Sequence, residues 1–368
     1  MLKKIVFGLL MCPAVSLAGE LNFKADGLIG AYYGVSDASE ENDHPDRWVL
    51  RADTALGAEY QFSKNHRSGV YASTTVMLRE DDVNRSEGEF RSYPYFADFS
   101  NYGEVYVGYV YNVAKTLHKG AKDITFLNVD DPNSTYFLSD DNWGNGYKST
   151  IYATPKSTSI LNDGRALKLA YILPVDDSLK VGFSYTPDNA NRRGMTSRYV
   201  DYEKKQDGYV WATQKKWQMD EAKIYTSAGY GIFNRTDKEL SLGLTVECGN
   251  FNIATGYKKA YVDGIKNPIS TKSVNDNLPA YFDNYRESEA WNISMGYKWD
   301  SFKTNVAYLN TRAENTRHQD NMVMWSNVYL PMKNVELYAV GAYLGFHGSE
   351  YKNDNEGYAS IFGVGYRY

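Results

Sequence analysis

The sequence is poor in the residues that build disulfide frameworks, metal sites and nucleic-acid-binding surfaces. Only two of its 368 residues are cysteine, and 40 basic residues face 45 acidic ones without forming a dense block. A chain with this charge balance is a poor partner for nucleic acid. The five histidines are scattered, without the spacing of a metal site. The sequence therefore predicts no cofactor, no metal and no catalytic centre.

Long apolar runs are also missing. The chain lacks a stretch of about 18 consecutive apolar residues, which excludes helical membrane spans. It contains instead 33 tyrosines, 30 glycines and only 10 prolines. Such a polar but aromatic composition suits a membrane barrel, whose outer face meets lipid while its inner face meets water. Composition alone also fits a secreted β-sandwich, so the periodicity has to decide.

The first residues have the pattern of a secretory signal peptide. Met1–Lys4 is a short positive segment, Ile5–Met11 is apolar, and Ser16 and Ala18 suit the −3 and −1 positions of a cleavage site. Cys12 leaves a lipoprotein alternative open, although the bulky residue before it disfavours lipoprotein processing.

Cleavage after Ala18 would divide the chain into a signal peptide, residues 1–18, and one exported domain, residues 19–368. It would remove two of the 40 basic residues, leaving 38 against 45 acidic ones. Cys248 would be the one remaining cysteine, so the mature chain could form no intramolecular disulfide.

Alternation of apolar and polar residues recurs in segments of about ten residues, the length that a tilted strand needs to cross hydrocarbon. In residues 240–247 every second residue is leucine or valine, and serine, glycine, threonine and glutamate lie between them. Many segments begin or end in an aromatic residue, as expected at a membrane interface. The last segment ends on Tyr368, a pattern typical of outer-membrane targeting. These features favour an all-β fold, a transmembrane antiparallel barrel, over a sandwich, whose strands are shorter.

About sixteen strands are predicted, joined by connections that mostly alternate between short turns and long loops. They lie near residues 22–34, 47–62, 68–79, 90–99, 103–112, 146–155, 166–173, 178–187, 222–232, 238–248, 250–261, 289–299, 301–311, 321–330, 334–346 and 357–368. The link at 174–177 is short where a loop is expected, and 188–221 is long where a turn is expected. A barrel of eighteen strands therefore remains an alternative, and the sequence leaves the topology of residues 156–221 open.

Three segments resemble the trimeric general porins of Gram-negative bacteria. Residues 95–108 (YFADFSNYGEVYVG) resemble the hairpin before the third loop of those porins, 148–155 (KSTIYATP) the strand after it, and 181–188 (VGFSYTPD) a later strand. The resemblance implies an outer-membrane homotrimer surrounded by lipopolysaccharide, in which small hydrophilic solutes and ions diffuse passively. It also implies that the third loop, about 113–145, folds into the lumen.

The resemblance further implies a constriction in which acidic loop residues face basic wall residues, so that polar solutes align in the field between them. The acidic candidates of the loop are Asp123, Asp130, Asp131, Asp140 and Asp141. The basic candidates, taken from strand parity and from the start of the loop, are Lys24, Arg51, Lys115, Lys148, Lys168 and Lys180. Strand parity also places Lys303 and Arg367 on the lumen side.

The chain departs from the family at Tyr109 and Ile151, where members commonly carry arginine, which puts strong anion selectivity in doubt. A substrate-specific channel, for example one for sugars, is an alternative that would need aromatic side chains in the lumen. The aromatic residues that parity directs inward are Tyr32, Tyr106, Tyr152, Trp325, Tyr329 and Tyr338. A closed structural or adhesive barrel is a third alternative.

Overall fold

Sixteen antiparallel strands make up almost all of the part of the chain that the structure describes. The structure is a computed structural model, and it describes residues 19–38, 46–80, 86–121, 157–160, 164–187, 207–233, 237–261, 287–313, 319–347 and 355–368. The strands are β1 (Glu20–Ala38), β2 (Asp46–Ser63), β3 (His66–Glu80), β4 (Ser86–Ser100), β5 (Gly103–Tyr109), β6 (Leu167–Pro174), β7 (Leu179–Thr186), β8 (Gly208–Met219), β9 (Ala222–Phe233), β10 (Asp237–Cys248), β11 (Phe251–Tyr261), β12 (Glu287–Trp299), β13 (Phe302–Ala313), β14 (Gln319–Met332), β15 (Val335–His347) and β16 (Asn355–Arg367).

Each strand pairs with the next along the chain, and β1 pairs with β16, so the sheet closes into a barrel. The closing register runs from Leu28 opposite Arg367 to Ala38 opposite Gly357. At its end, the backbone N–H of Tyr368 donates to the carbonyl oxygen of Gly27 at 3.1 Å. Closure leaves no strand edge unpaired, and this is the condition for a sheet to lie in hydrocarbon.

The seam between the two chain ends is also filled from the inside. The rings of Tyr32 on β1 and Tyr338 on β15 lie 5.5 Å apart. They pass over β16, where a Cβ added at Gly363 would lie 2.4 Å from the Tyr32 ring and one at Gly365 would lie 2.9 Å from the Tyr338 hydroxyl. The absence of a side chain at these two glycines leaves room for the two rings.

Tight turns join the strands at the end of the barrel where the chain starts and stops. Asp220, Asp300, Asn334 and Gly249 have φ values of 49°, 40°, 73° and 54° in four of these turns, and aspartate, asparagine and glycine tolerate this left-handed conformation best. In another turn, hydrogen bonds from the Ser178 hydroxyl and the backbone N–H groups of Ser178 and Leu179 hold the pKa of the Asp176 carboxyl below its usual value. The long connections all lie at the opposite end.

The two faces of the sheet differ as the alternation predicts. On β10, Leu242 and Leu244 lie on the outer face with 44% and 37% of their surface exposed, whereas Ser241 and Thr245 face inward and are buried. Each strand from β1 to β16 carries large apolar or aromatic side chains on its outer face. The described residues contain no helix with the length and apolarity of a membrane span.

The predicted all-β barrel of about sixteen strands is confirmed, and the alternative of eighteen is not. One strand was missed: Gly208–Met219 forms β8. Its first half is apolar on both faces, since Tyr209 and Trp211 point outward while Val210 and Ala212 are buried inside, so period-two alternation is hidden. With β8 included, the short link after β6 and the long one after β7 fit the alternation of turns and loops.

The candidate strand at 146–155 lies outside the described residues. The barrel closes without it, because β5 pairs directly with β6 from Glu104 opposite Ile172 to Tyr109 opposite Leu167. The connection between them therefore covers residues 110–166, which corrects the predicted loop boundary of 113–145.

Candidate functional site

The third long connection, residues 110–166, is described at 110–121, 157–160 and 164–166. It begins with a short helix, α1 (Val113–Leu117), which starts where the Asn112 side chain accepts a hydrogen bond from the backbone N–H of Lys115 at 2.9 Å. An asparagine in this position caps one of the free N–H groups at a helix start. The helix brings the chain from the end of β5 onto the inner face of the barrel.

Small residues on that inner face let the connection lie directly against the wall. A Cβ added at Gly182 on β7 would lie 2.8 Å from Val113, and one at Gly229 on β9 would lie 2.6 Å from Ala114. At Gly243 on β10 the added atom would lie 2.6 Å from the backbone oxygen of Lys119. These three glycines point inward, opposite to the lipid-facing leucines and aromatics beside them. The described part of the connection therefore lies inside the lumen.

Hydrogen bonds hold the connection in this place. The backbone N–H of Lys119 donates to Ser227 Oγ at 2.9 Å, and that of Ala121 donates to Asn292 Oδ1 at 3.2 Å. The returning branch shares the same anchor, because Asn292 Nδ2 donates to Thr158 Oγ1 at 3.0 Å. Asn292 is fully buried, so its amide joins both branches to β12.

Apolar contacts contribute most of the free energy that stabilises the connection against the wall. Val113, Leu117 and Ile160 of the connection are buried with inward residues of β6, β8 and β9, including Ile172 and Phe233. Burial of one such side chain contributes about 1.5–3 kcal/mol, whereas a neutral hydrogen bond contributes only about 0.5–1.5 kcal/mol. A segment that keeps these contacts stays in the lumen although water surrounds it.

A second apolar area covers the inner face of β13 to β16. Leu309, Met322, Met324 and Val340 point inward there and are almost fully buried, and Ala121 of the connection belongs to the same cluster. This part of the wall is apolar on both faces, which made the parity of β14 ambiguous in the sequence. Trp325 and Tyr329 accordingly face outward, 57% and 48% exposed, and their predicted inward direction was wrong.

The other aromatic residues that were predicted to face the lumen are Tyr32, Tyr106, Tyr338 and Tyr152. Tyr32, Tyr106 and Tyr338 lie on the inner face, where they are buried or half-buried. Tyr152 lies outside the described residues. The inner wall thus carries some aromatic surface. Among the aromatic residues of β3 to β5, the sequence had predicted only Tyr106 to face the lumen.

The basic candidates of the wall point inward but lie beside carboxylates of the wall itself. Lys24 Nζ lies 2.9 Å from Glu59 Oε1, and Lys180 Nζ lies 3.2 Å from Glu104 Oε1. Arg51 Nε lies 2.6 Å from Asp53 Oδ2. Each pair consists of inward-facing groups, so much of the positive charge predicted for the wall is balanced locally. The sheet brings Glu59 to Lys24 and Glu104 to Lys180, which sequence spacing alone does not show, whereas Asp53 lies two residues from Arg51 on the same face of β2.

Two further basic candidates belong to the connection and its surroundings. Lys168 is 1% exposed, and its ammonium group donates to the backbone oxygen of Gly164 at 2.7 Å. Lys115 is part of α1. Lys148 and the five acidic candidates, Asp123, Asp130, Asp131, Asp140 and Asp141, lie outside the described residues, so the predicted contrast between acidic loop and basic wall stays a prediction.

Arg165 was missed by the sequence analysis. It lies in the returning branch, two residues before β6 begins, and its guanidinium group contacts inner residues of β3 and β4. Within the described residues, no cluster of three or more histidine, cysteine, aspartate or glutamate side chains could hold a metal ion.

The chain matches a sequence profile described as Gram-negative porin over residues 7–349. A search among curated protein sequences found no match. The structure is similar to OmpF of Salmonella typhi in complex with daunomycin, with a TM-score of 0.59 and 12% sequence identity over 94% of this chain and 97% of that one.

Two other solved structures are similar to the same degree. The anion-selective porin from Comamonas acidovorans gives a TM-score of 0.58 at 11% identity, covering 95% of this chain and 100% of that one. A loop L8 deletion mutant of OmpT, an outer membrane protein of Vibrio cholerae, gives 0.56 at 13% identity, again over 95% and 100%. At these identities the likeness shows the fold, the sixteen-stranded barrel.

We predict that Gly243→Ala disturbs the connection, because the added methyl group would lie 2.6 Å from Lys119 O and from Ser227 Oγ. Overpacking of this kind costs about 1–3 kcal/mol. The expected results are a lower free energy of unfolding in urea and an altered single-channel conductance.

Gly341→Ala is the matched control, since a Cβ added there meets no atom within 4 Å, and its effect should stay within about 0.5 kcal/mol. Equal behaviour of the two variants would contradict the placement of the connection against β10.

Proposed function

The chain belongs to the Gram-negative porin family, and on this premise we propose a water-filled outer-membrane channel through which small hydrophilic solutes and ions diffuse passively. The observation that carries the proposal is the third long connection on the inner wall, held by Gly243, Ser227 and Asn292. A barrel of sixteen strands encloses a lumen wider than a small solute. A connection inside it narrows the passage without closing the barrel.

Export belongs to the same proposal. The signal-peptide pattern of residues 1–18 supports secretion and leaves residues 19–368 as the mature barrel. Family and fold are those of a channel, and this favours transport over catalysis as the role of the chain.

The balance of charge in the lumen favours weak selectivity. Lys24, Arg51 and Lys180 each lie within ion-pair distance of a wall carboxylate, so these three basic groups add little unbalanced positive charge to the pore. The five aspartates predicted for the connection would then tip the channel towards cations. Both groups of charges act in hydrated surroundings, where two unit charges 4 Å apart interact with only about 1 kcal/mol.

A homotrimer is also part of the proposal, and the outer face of β1 to β4 supports it. Gly27, Thr54, Thr74 and Ser92 lie opposite one another in the strand registers and form one row of small residues across four strands. Their hydroxyl groups bond among themselves and to Tyr368, with 2.8 Å between Thr54 Oγ1 and the Tyr368 hydroxyl. A row of hydroxyl groups is ill suited to lipid but allows close approach of another protein surface.

An open groove beside this row has a volume of about 540 Å³ and is lined by apolar residues that include Phe23, Leu56 and Val70. Two identical subunits could fill such grooves by rotation about a common axis, because a cyclic assembly uses the same surfaces on every copy.

We predict that Glu104→Gln shifts the reversal potential of the channel in a KCl gradient towards anions. The substitution removes the carboxylate 3.2 Å from Lys180 Nζ and leaves the ammonium charge unbalanced. One unit charge at this dielectric changes the cation-to-anion permeability ratio by about two- to fivefold. Asp176→Asn, in an exposed turn at the end of the barrel, is the control and should leave the ratio nearly unchanged. An unchanged reversal potential in Glu104→Gln would speak against charge control by this wall.

We predict that Thr54→Trp weakens the trimer, because the indole would stand in the row where subunits approach. Overpacking costs about 1–3 kcal/mol at each contact, and the measured quantity is the temperature at which the trimer dissociates to monomer on a native or mild-detergent gel. Thr255→Trp places the same side chain on the outer face of β11, towards lipid, and should not change this temperature. The proposed contact surface is wrong if both variants dissociate like the wild type.

A further inference from the structure

A column of aromatic rings follows the pore axis on the inner face of β3 to β5. Tyr71 and Tyr95 lie opposite each other and stack with 5.2 Å between ring centroids and 16° between ring planes. Tyr106 follows at 6.4 Å from Tyr95, and Phe99 lies 5.7 Å from Tyr106. The strand register places Tyr71 and Tyr95 at one level of the wall and Tyr106 and Phe99 at the following levels. The four rings therefore form a continuous apolar strip in a polar lumen.

The strip has fixed rings. The Tyr71 hydroxyl donates to Glu59 Oε2 at 2.6 Å, and the Tyr106 hydroxyl donates to Glu104 Oε2 at the same distance. Both rings are half-buried, with their polar ends already bonded to the wall. A solute that stacks on them would not have to order them first, which favours binding.

An arginine lies at each end of the strip. At the end with the tight turns, the guanidinium carbon of Arg67 lies 4.6 Å from the centroid of Phe99. At the other end, the guanidinium carbon of Arg165 lies 4.7 Å from the centroid of Tyr93, which is two residues from Tyr95 on the same face of β4. It also lies 4.5 Å from the centroid of Tyr111 in the connection. The two arginines differ in whether a carboxylate lies beside them, and this difference bears on whether either can bind an anion.

Arg67 Nε lies 3.5 Å from Glu59 Oε2, whereas Arg165 forms no ion pair with any carboxylate in the described part of the chain. Its one hydrogen bond there runs from a terminal nitrogen, Nη1, to Ser73 Oγ at 3.0 Å. A guanidinium group has five N–H donors, and tyrosine rings hold it in place without cancelling its charge. Arg165 is thus an oriented, half-buried cation with donors left for an anion.

We propose that Arg165 and the aromatic strip form a solute-binding subsite in the lumen for a small carboxylate that carries a flat ring. Arg165 binds the carboxylate through paired N–H donors, while Tyr95 and its neighbour Tyr71 contact the ring. A single guanidinium suits one negative charge, and ring stacking suits a flat rather than a linear solute. The inference rests on the proposed channel function and adds a preferred class of solute to it.

The test uses the full-length protein in planar bilayers, with benzoate added to one side and the interruptions of single-channel current recorded. Acetate, a carboxylate without a ring, and benzyl alcohol, a ring without a charge, are the comparison solutes. Benzoate should interrupt the wild-type current at lower concentration than either. In Arg165→Gln the apparent binding of benzoate should weaken by about tenfold.

Two further variants separate the site from general effects. Lys303→Gln also removes one positive charge from the lumen, but on β13 across the barrel, and it should leave the benzoate interruptions unchanged. Tyr95→Leu should weaken the binding of benzoate without affecting the interruptions caused by acetate. It keeps the inference testable if Arg165→Gln does not fold.

The outcomes are distinguishable. A wild-type current without benzoate interruptions, or interruptions that are equal in Arg165→Gln and the wild type, would overturn the subsite and leave the channel intact. Equal losses in Arg165→Gln and Lys303→Gln would overturn it too, because total charge rather than a site would then explain binding. A folded wild-type barrel without any ionic current would overturn the channel and the subsite together.

Discussion

The rest of the structure depends on the pairing of backbone groups in a surrounding that offers no water. In hydrocarbon every unpaired N–H and C=O group costs several kcal/mol, and a sheet escapes this cost only by closing on itself. The pairing of β1 with β16 provides that closure. Tyr32 and Tyr338, packed over two glycines of β16, cover this seam from the inside, and the ion pair between Arg367 and Glu336 at 3.2 Å joins β16 to β15 beside it. Closure then fixes the two faces, one for lipid and one for the lumen.

Closure also creates a wide lumen, and the third long connection narrows it. A sixteen-stranded barrel is too wide to be filled by its own side chains, and here the described part of the third connection occupies some of that space. The inner face receives that segment through glycines at 182, 229 and 243 and through buried apolar contacts. The wall beside it keeps its charges in pairs, so the passage is polar without a strong excess of one sign on this side. Arg165, on the returning branch, forms no ion pair with a carboxylate in the described part of the chain, and for this reason it is the residue from which we infer a solute preference.

The sequence was informative wherever one face of a strand differs from the other. Period-two alternation predicted fifteen of the sixteen strands, because their outer residues are apolar and their inner residues polar. It failed at β8 and misdirected Trp325 and Tyr329 on β14, where buried Val210 or Met324 makes the inner face apolar as well. The pairing of Lys24 with Glu59 and of Lys180 with Glu104 was beyond sequence spacing, since 35 and 76 residues separate the partners. The environment of Arg165 depends in the same way on contacts between β3, β4 and the connection.

The lumen is open to water and narrowed by the connection within it. Single-channel conductance in the presence of neutral polymers of graded size tests this most directly. We expect small polymers to enter and lower the conductance, while polymers above a sharp size limit leave it unchanged. A folded barrel that conducts no ions, or one that admits polymers as wide as an empty sixteen-stranded barrel would, contradicts this expectation.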